Sequence, residues 1–314
     1  MHDSTPIAFV FPGQGSQALG MGRELCENDR SAAAVFAEAD RILGRPLSEL
    51  CWKGPLEALN ETINTQPALF VHSIAVLRAV QSRRPDLKPS WTAGHSVGEI
   101  SALAAAGALS FPDGLRLVSE RGHAMQQAGL EHPGGMAAVL GLAIDDVDRI
   151  CREVSSETGL VLQVANDNCP GQVVISGDEE ALSIGLDRLK RQGAKKAIRL
   201  AVSIAAHSAL MLPAQERFIR AIEATPFAAP HTPVIGNINA APLRTAWEIR
   251  GELSAQLTSR VRWAETIRGL ARAGVKTGVE IGSGSVLSGL IRRIDPEIRA
   301  MAIDAPASFD QLPN

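Results

Sequence analysis

The sequence predicts an α/β protein with a largely parallel sheet and an inserted ferredoxin-like subdomain. Two patterns carry this prediction. Short runs of β-branched and aromatic residues alternate with helical patterns of crossover length in the first 130 residues. From residue 131 the order becomes β-α-β-β-α-β, which is that of the split βαβ fold. The expected division is a larger α/β unit over residues 1–130 and 204–314, with a small subdomain over residues 131–203.

The elements of the larger unit follow from local pattern. Ile7–Phe11 is a short β-branched and aromatic run that ends in a glycine-rich loop, so it is predicted to be a buried strand. A second β-prone stretch covers residues 91–93. Helical patterns occupy residues 31–43, 66–83, 100–106 and about 112–128.

The insert is predicted from alternation of the same two kinds of pattern. Strand-like runs cover residues 136–140, 160–165, 173–176 and 197–202, and amphipathic helices cover residues 144–158 and 179–192. A cleft between this insert and the larger unit would be a usual place for a ligand. The tail from about Ala305 is expected to be loosely held.

The amino-acid composition limits the classes of function that this protein can have. The 314 residues are 45% hydrophobic and 21% charged, with a formal net charge of −3, as in ordinary globular enzymes. There is no apolar run of membrane-spanning length and no signal-peptide pattern, so a cytoplasmic protein is expected. The near-neutral charge argues against a nucleic-acid partner. The four cysteines are scattered without metal-ligand spacing, and neither a disulfide framework nor a metal or other cofactor is expected.

Gly94-His95-Ser96-Val97-Gly98 is the most informative segment. It is a G-x-S-x-G motif placed after a predicted strand and before a predicted helix. In that context the serine lies on a sharp strand-to-helix turn, where its hydroxyl is exposed and the following helix points its N-terminus at a developing oxyanion. The pattern predicts that Ser96 is the nucleophile of an acyl-transfer reaction.

A serine nucleophile needs a base, and histidine is the usual one. Among seven histidines, His207 is favoured modestly, because it follows the last strand of the insert and stands at the start of a helix, at the mouth of the predicted cleft. His95 adjoins the serine in so sharp a turn that a packing role is expected for it. The others are interpreted as structural: His2, His72, His123, His132 and His231.

The loop Gly13-Gln14-Gly15 is the predicted second half of an oxyanion hole. The first donor would be the N–H of Val97, and this loop ends a strand at the same sheet edge as the serine turn. Gly13-x-Gly15-x-x-Ala18 also fits a dinucleotide fingerprint. That interpretation is disfavoured because the stretch that should hold a second strand and its acidic residue is helical in pattern.

Several spaced motifs together resemble one family. In order along the chain they are FPGQGSQ at residues 11–17, GHSVGE at 94–99, Arg121-Gly122, NDNCPGQ at 166–172, HSALM at 207–211 and Gln256-Leu257. On these motifs the chain closely resembles the malonyl-CoA:acyl-carrier-protein transacylases of bacterial fatty-acid synthesis and their polyketide-synthase relatives. The resemblance covers nearly the whole chain and implies a hydrolase-like α/β core with a ferredoxin-like insert.

The resemblance also implies roles for the candidate residues. Ser96 would attack malonyl-CoA and carry the malonyl group as an ester, with His207 as the base, oriented by a main-chain carbonyl rather than by an aspartate. The N–H groups of Gln14 and Val97 would bind the oxyanion, each worth roughly 3 kcal/mol. Gln256 resembles a glutamine at the family's active site. The partners implied are malonyl-CoA and an acyl carrier protein, and the chain would be a monomer.

Arg121 distinguishes such an enzyme from a general esterase. Taken alone, it would be a solvated cation closing the helix that runs from Asp113. In the family the matching arginine grips the free carboxylate of malonyl through a bidentate pair. A buried guanidinium would reject an acyl chain without a carboxylate.

Two positions depart from the family pattern. Ala206 precedes the histidine where serine or phenylalanine often lines the acyl pocket, and a small alanine leaves room for the methyl group of methylmalonyl. Val97 is typical of malonyl users, and one methyl group is worth only about 1–3 kcal/mol of discrimination. Cys169 replaces a serine in the motif that contains Asn168, which is expected to be neutral, and Asn168 itself is a candidate substrate-binding residue.

Four other interpretations compete with a malonyl transferase of fatty-acid synthesis. Two share its chemistry and differ in partner: a discrete polyketide-synthase acyltransferase using malonyl or methylmalonyl, and the transacylase subunit of a malonate decarboxylase. An acyl hydrolase acting on carrier proteins would be expected to lack Arg121. An inactive docking subunit would be expected to lack Ser96 or His207.

Overall fold

The structure is a computed structural model that describes residues 6–202 and 204–313. His2 and the predicted end of the insert at residue 203 therefore lie outside the described residues. The observed elements confirm the α/β class, with a largely parallel sheet and a second, antiparallel sheet. No helix formed by the described residues combines the length and apolar character needed to cross a membrane.

The larger sheet has six strands in the order β10-β9-β1-β2-β7-β8. All neighbouring pairs are parallel except β7 and β8. The strands are β1 (Ile7–Phe11), β2 (Trp91–Gly94), β7 (Val234–Ile235), β8 (Pro242–Leu243), β9 (Thr277–Ile281) and β10 (Arg299–Ile303).

Helices cover both faces of this sheet, and alternate residues of β1 enter different cores. Phe9 and Phe11 pack into the larger core, whereas Ala8 and Val10 pack on the other face. The helices of the larger unit are α1 (Arg23–Asn28), α2 (Arg30–Leu43), α3 (Leu47–Lys53), α4 (Leu56–Asn60), α5 (Thr62–Arg83), α6 (Gly98–Ala105), α7 (Phe111–Glu131), α10 (Leu212–Ala224), α11 (Ala246–Gln256), α12 (Trp263–Arg272) and α13 (Val286–Ile294).

The smaller sheet is antiparallel, with the order β4-β5-β3-β6. Its chain order, β-α-β-β-α-β, is the predicted ferredoxin-like one. The elements are β3 (Gly134–Leu140), α8 (Ile144–Thr158), β4 (Leu162–Cys169), β5 (Gln172–Asp178), α9 (Glu179–Arg191) and β6 (Lys196–Arg199). We keep the boundaries of the two units, residues 131–203 against the rest, as a proposal.

Several predicted boundaries were wrong. Helix α5 begins at Thr62 rather than residue 66, so Pro67 lies in its second turn, where the missing N–H removes one bond of the helix ladder. Strand β4 continues to Cys169 with two register shifts, since Asp167 donates its main-chain N–H to the carbonyl of Val261 at 2.9 Å. Strand β6 ends at Arg199, three residues early.

The C-terminal tail is packed rather than loose. Residues Pro306–Gln311 form a 3-10 helix. The Phe309 ring within it is buried and lies 4.4 Å from the guanidinium carbon of Arg83, a cation–π contact. An aromatic side chain in the tail sequence was the signal that the prediction overlooked.

Candidate active site

The loops that follow the carboxyl ends of parallel strands meet at one edge of the larger sheet. The Pro12–Gln17 loop follows β1, Ser96 follows β2 and Asn237 follows β7. In an open α/β sheet this edge is the usual ligand site. The smaller sheet is joined to the same region, because Val261, beyond α11, bridges to β4.

Ser96 lies on a strained turn between β2 and α6. Its φ is 54°, the left-handed region that most residues avoid. The flanking glycines make this turn possible: a Cβ on Gly94 would lie 1.9 Å from the carbonyl oxygen of Gly98, and one on Gly98 would lie 2.2 Å from that of Phe11. The turn therefore requires glycine at both positions and presents the Ser96 hydroxyl above the sheet edge.

Asn237 holds this turn from the neighbouring strand. Its Oδ1 accepts a hydrogen bond from the Ser96 main-chain N–H at 2.8 Å, and its Nδ2 donates to the Gly94 carbonyl at 2.7 Å. The side chain thus ties the residues on either side of His95. Sequence reasoning missed Asn237, since β7 before it has only two residues and gives almost no periodic signal.

His207 is the base candidate that the structure places against the serine. Its Nε2 lies 2.8 Å from Ser96 Oγ. Its Nδ1 lies 3.0 Å from the main-chain carbonyl oxygens of Gln256 and Ser259, so those carbonyls fix the tautomer with the proton on Nδ1. Nε2 is then free to accept the serine proton.

The electrostatic environment keeps the His207 imidazole neutral. Burial, together with the charges of Arg121 and His95, lowers the pKa of His207 to about 3, although its two carbonyl partners oppose the shift. At neutral pH the ring therefore carries no charge, with its single proton on Nδ1 and none on Nε2. That is the state a general base needs.

Arg121 lies beside Ser96 rather than in solvent. Helix α7 continues for ten residues beyond it, and its side chain has no solvent exposure, so it is not a helix-end cation. Its Nη2 donates to Ser96 Oγ at 3.1 Å and to Gln256 Oε1 at 2.8 Å. Burial lowers the pKa of Arg121 to about 10, which leaves it protonated at neutral pH.

The remaining donors of Arg121 are almost unused. Its Nη1 donates to the Met125 sulfur at 3.3 Å, and a thioether is a weak acceptor. Its Nε has no hydrogen-bond partner among the described residues. Gln66 donates to the same sulfur at 3.1 Å, and its own Oε1 is unpartnered within that part of the chain. A buried guanidinium with free donors is suited to a carboxylate.

The predicted oxyanion donors face the same cavity. Gln14 and Val97 both line it, and neither main-chain N–H donates a hydrogen bond to any of residues 6–202 or 204–313. Unsatisfied N–H groups at a helix N-terminus are the usual donors to an oxyanion. The Gln14 side chain turns away and donates to Thr62 Oγ1 at 3.3 Å.

The cavity has a volume of about 530 Å³, which is in the range of small-molecule sites. Ala206 lines it beside His207, and Asn168 lines it from β4. Asn168 Oδ1 lies 2.9 Å from His95 Nε2, so this side chain orients the histidine next to the nucleophile. Gln256 is fully buried behind Arg121, outside the residues that line the cavity.

Comparisons with known proteins give matches over nearly the whole chain. The acyl transferase domain profile matches residues 8–297. Malonyl CoA-acyl carrier protein transacylases are 43% identical over 304 residues in Bacillus subtilis (97% of this chain, 95% of that protein) and 42% identical over 306 residues in Haemophilus influenzae (98% and 97%).

Solved structures give the same result. A malonyl-transacylase in complex with a type II polyketide-synthase acyl-carrier protein superposes with a TM-score of 0.94 at 42% identity, covering 98% of each chain. The malonyl CoA-acyl carrier protein transacylase of Coxiella burnetii gives a TM-score of 0.94 at 39% identity, covering 98% of this chain and 96% of that one.

Proposed function

The chain belongs to the acyl transferase domain family, and we propose that it moves a malonyl group from malonyl-CoA to the phosphopantetheine thiol of an acyl carrier protein. The observation that carries this proposal is Arg121. It is a buried guanidinium 3.1 Å from Ser96 Oγ, and it makes no ion pair within the described part of the chain. An acyl group that ends in a carboxylate would satisfy it at the point of reaction.

In the first half-reaction Ser96 Oγ attacks the thioester carbonyl of malonyl-CoA while His207 Nε2 takes the hydroxyl proton. The N–H groups of Gln14 and Val97 stabilise the oxyanion of the tetrahedral intermediate. That intermediate collapses by breaking the carbon–sulfur bond, and the thiolate of coenzyme A leaves with the proton from His207. Ser96 then carries malonyl as an ester.

In the second half-reaction the carrier thiol gives its proton to His207 Nε2 and attacks the malonyl ester. Collapse breaks the bond to Ser96 Oγ, which recovers a proton from His207. The acyl carrier protein leaves as the malonyl thioester. Since coenzyme A leaves before the carrier thiol attacks the malonyl ester on Ser96, a ping-pong scheme follows.

Intact-protein mass spectrometry tests this proposal directly. Brief mixing with malonyl-CoA is expected to add one malonyl group to the wild-type chain and none to the Ser96→Ala variant. Adding an acyl carrier protein that bears phosphopantetheine should remove the label and transfer it. Release of free malonate without transfer would instead favour an acyl hydrolase.

A second candidate is a discrete polyketide-synthase acyltransferase that accepts malonyl or methylmalonyl. Two observations favour it: Ala206 leaves space in the cavity wall, and one of the solved relatives is bound to a polyketide-synthase carrier. Transfer rates to carriers of the two kinds would separate these functions. We further propose that the chain works as a monomer in the cytoplasm, which sedimentation and cell fractionation would test.

A further inference from the structure

We propose that Glu99 is a positioning residue for malonyl selection, because it fixes the side-chain amide of Gln256 and thereby the guanidinium of Arg121. This inference rests on the proposed function. Glu99 ends the GHSVGE motif, and no role was derived for it from the sequence. It lies in the first turn of α6, three residues after the nucleophile, and has no solvent exposure.

One carboxyl oxygen of Glu99 joins two distant parts of the site. Its Oε2 accepts a hydrogen bond from Gln256 Nε2 at 2.9 Å and another from the Asn237 main-chain N–H at 3.1 Å. Its Oε1 has no partner among the described residues. Glu99 therefore acts through other side chains and does not face the cavity.

The Gln256 amide has only one favourable orientation in this setting. Its Nε2 faces two acceptors, Glu99 Oε2 and the Ser96 carbonyl oxygen at 3.2 Å, and its Oε1 accepts from Arg121. If the amide were rotated by 180°, its NH₂ group would face the Arg121 guanidinium and its oxygen would face the oxygens of Glu99 and Ser96. Three hydrogen bonds would then be lost. Glu99 supplies the shorter of the two contacts that favour the observed orientation.

The orientation of this amide decides which donors Arg121 has left for a substrate. Gln256 Oε1 accepts from Nη2, whereas Nε has no partner among the described residues and Nη1 donates to the Met125 sulfur, a weak acceptor. If the amide were released, Arg121 would lose its strongest anchor. The guanidinium would then sample other positions, and its hydrogen bonding to a carboxylate would weaken.

Glu99 contributes a hydrogen-bond acceptor at the correct distance from Gln256 rather than a negative charge. Burial and the neighbouring carboxyl of Glu252 raise the pKa of Glu99 well above its ordinary value, although Gln256, Asn237 and Arg121 oppose the shift. Only an acceptor at the right distance is needed to hold Gln256. A neutral side chain of the same length can supply that acceptor.

Two variants distinguish the length of the side chain at position 99 from its charge. Glu99→Gln keeps the length and one acceptor oxygen, whereas Glu99→Asp keeps the carboxyl group but withdraws it by about one carbon–carbon bond, roughly 1.5 Å. The matched control is Asp40→Asn, a carboxylate on α2 that accepts from the Ser48 main-chain N–H far from the cavity. The readout is the ratio of malonyl to acetyl loading on Ser96, together with the KM for malonyl-CoA.

We expect Glu99→Asp to lower the malonyl-to-acetyl ratio about tenfold through a raised KM for malonyl-CoA, and Glu99→Gln and Asp40→Asn to stay within about twofold of wild type. A loss in Glu99→Gln equal to that in Glu99→Asp would overturn the inference, as would an unchanged ratio in Glu99→Asp. Because each ratio comes from one sample, partial unfolding cancels. Failure of the wild-type chain to accept malonyl would refute the proposed function itself.

Discussion

Replacement of Arg121 by alanine is the most discriminating single change. The side chain is fully buried, it lies 3.1 Å from Ser96 Oγ, and the proposed function assigns the selection of a carboxylate to its free donors. The proposed mechanism gives it two charge-assisted hydrogen bonds to malonyl. At about 1.5 kcal/mol each, these amount to about 3 kcal/mol, which corresponds to a roughly 150-fold loss of kcat/KM for malonyl-CoA.

Acetyl-CoA provides the internal comparison. It has no carboxylate for Arg121 to bind, so in the Arg121→Ala variant its kcat/KM should change by less than about tenfold. The assay is the initial rate of label transfer from each thioester to Ser96, followed by mass spectrometry. A suitable control is Arg116→Ala on the same helix, since that side chain is 63% exposed and pairs with Asp113.

Equal losses for the two substrates would refute this reasoning. Arg121 also donates to Ser96 Oγ, and a role confined to that contact would slow malonyl and acetyl loading by the same factor. The ratio of the loss for malonyl-CoA to the loss for acetyl-CoA therefore distinguishes binding of the carboxylate from activation of Ser96. A selective loss of malonyl loading assigns Arg121 to the substrate.

Four further predictions concern the pH dependence of activity and of stability, substrate specificity and core packing. Burial is the main cause that lowers the pKa of His207 to about 3, so protonation of this residue should not reduce kcat/KM for malonyl-CoA between about pH 5 and 8. A pH–rate profile with a midpoint near the ordinary histidine pKa of 6.5 would contradict this prediction. Because the pKa of His207 is lower in the folded chain than in the unfolded one, its contribution to the free energy of unfolding is fully present above pH 6.5 and is lost as the pH falls toward 3. Denaturant titrations at a series of pH values would detect this decline. Ala206→Phe should narrow the acyl pocket and reduce methylmalonyl relative to malonyl loading by about tenfold or more in competition assays. Phe70→Ala, in the centre of α5, should leave a cavity and lower the free energy of unfolding by about 3–5 kcal/mol. A loss below about 1 kcal/mol would instead show that the neighbouring core side chains relax into this cavity.

Ser96, the proposed nucleophile, could be predicted from the local sequence because the geometry of its turn is local. Two glycines, a preceding strand and a following helix lie within about a dozen residues, and each restricts the backbone through its own sterics. The ferredoxin-like order of the insert was equally accessible, since it depends only on where strands and helices alternate. The structure confirms that fold class.

Other parts of the site were only weakly indicated. His207 was favoured by its place after a strand, and the identity of its orienting groups came from the family resemblance rather than from any nearby acidic residue. Arg121 taken alone predicted a solvated side chain, because a single arginine on an amphipathic helix has no local signal for burial. The packing of α7 against the serine turn reverses that prediction.

By itself the sequence determined the fold class, the nucleophile elbow and the family. It could do so because these depend on short-range patterns and on motifs that stand in a fixed order. Tertiary structure alone decided that Asn237, Gln256 and Glu99 meet around Ser96, since Asn237 and Gln256 lie 141 and 160 positions from it along the chain. The order of parallel strands brings them to one sheet edge, and burial there makes each polar group depend on a partner that no local pattern specifies.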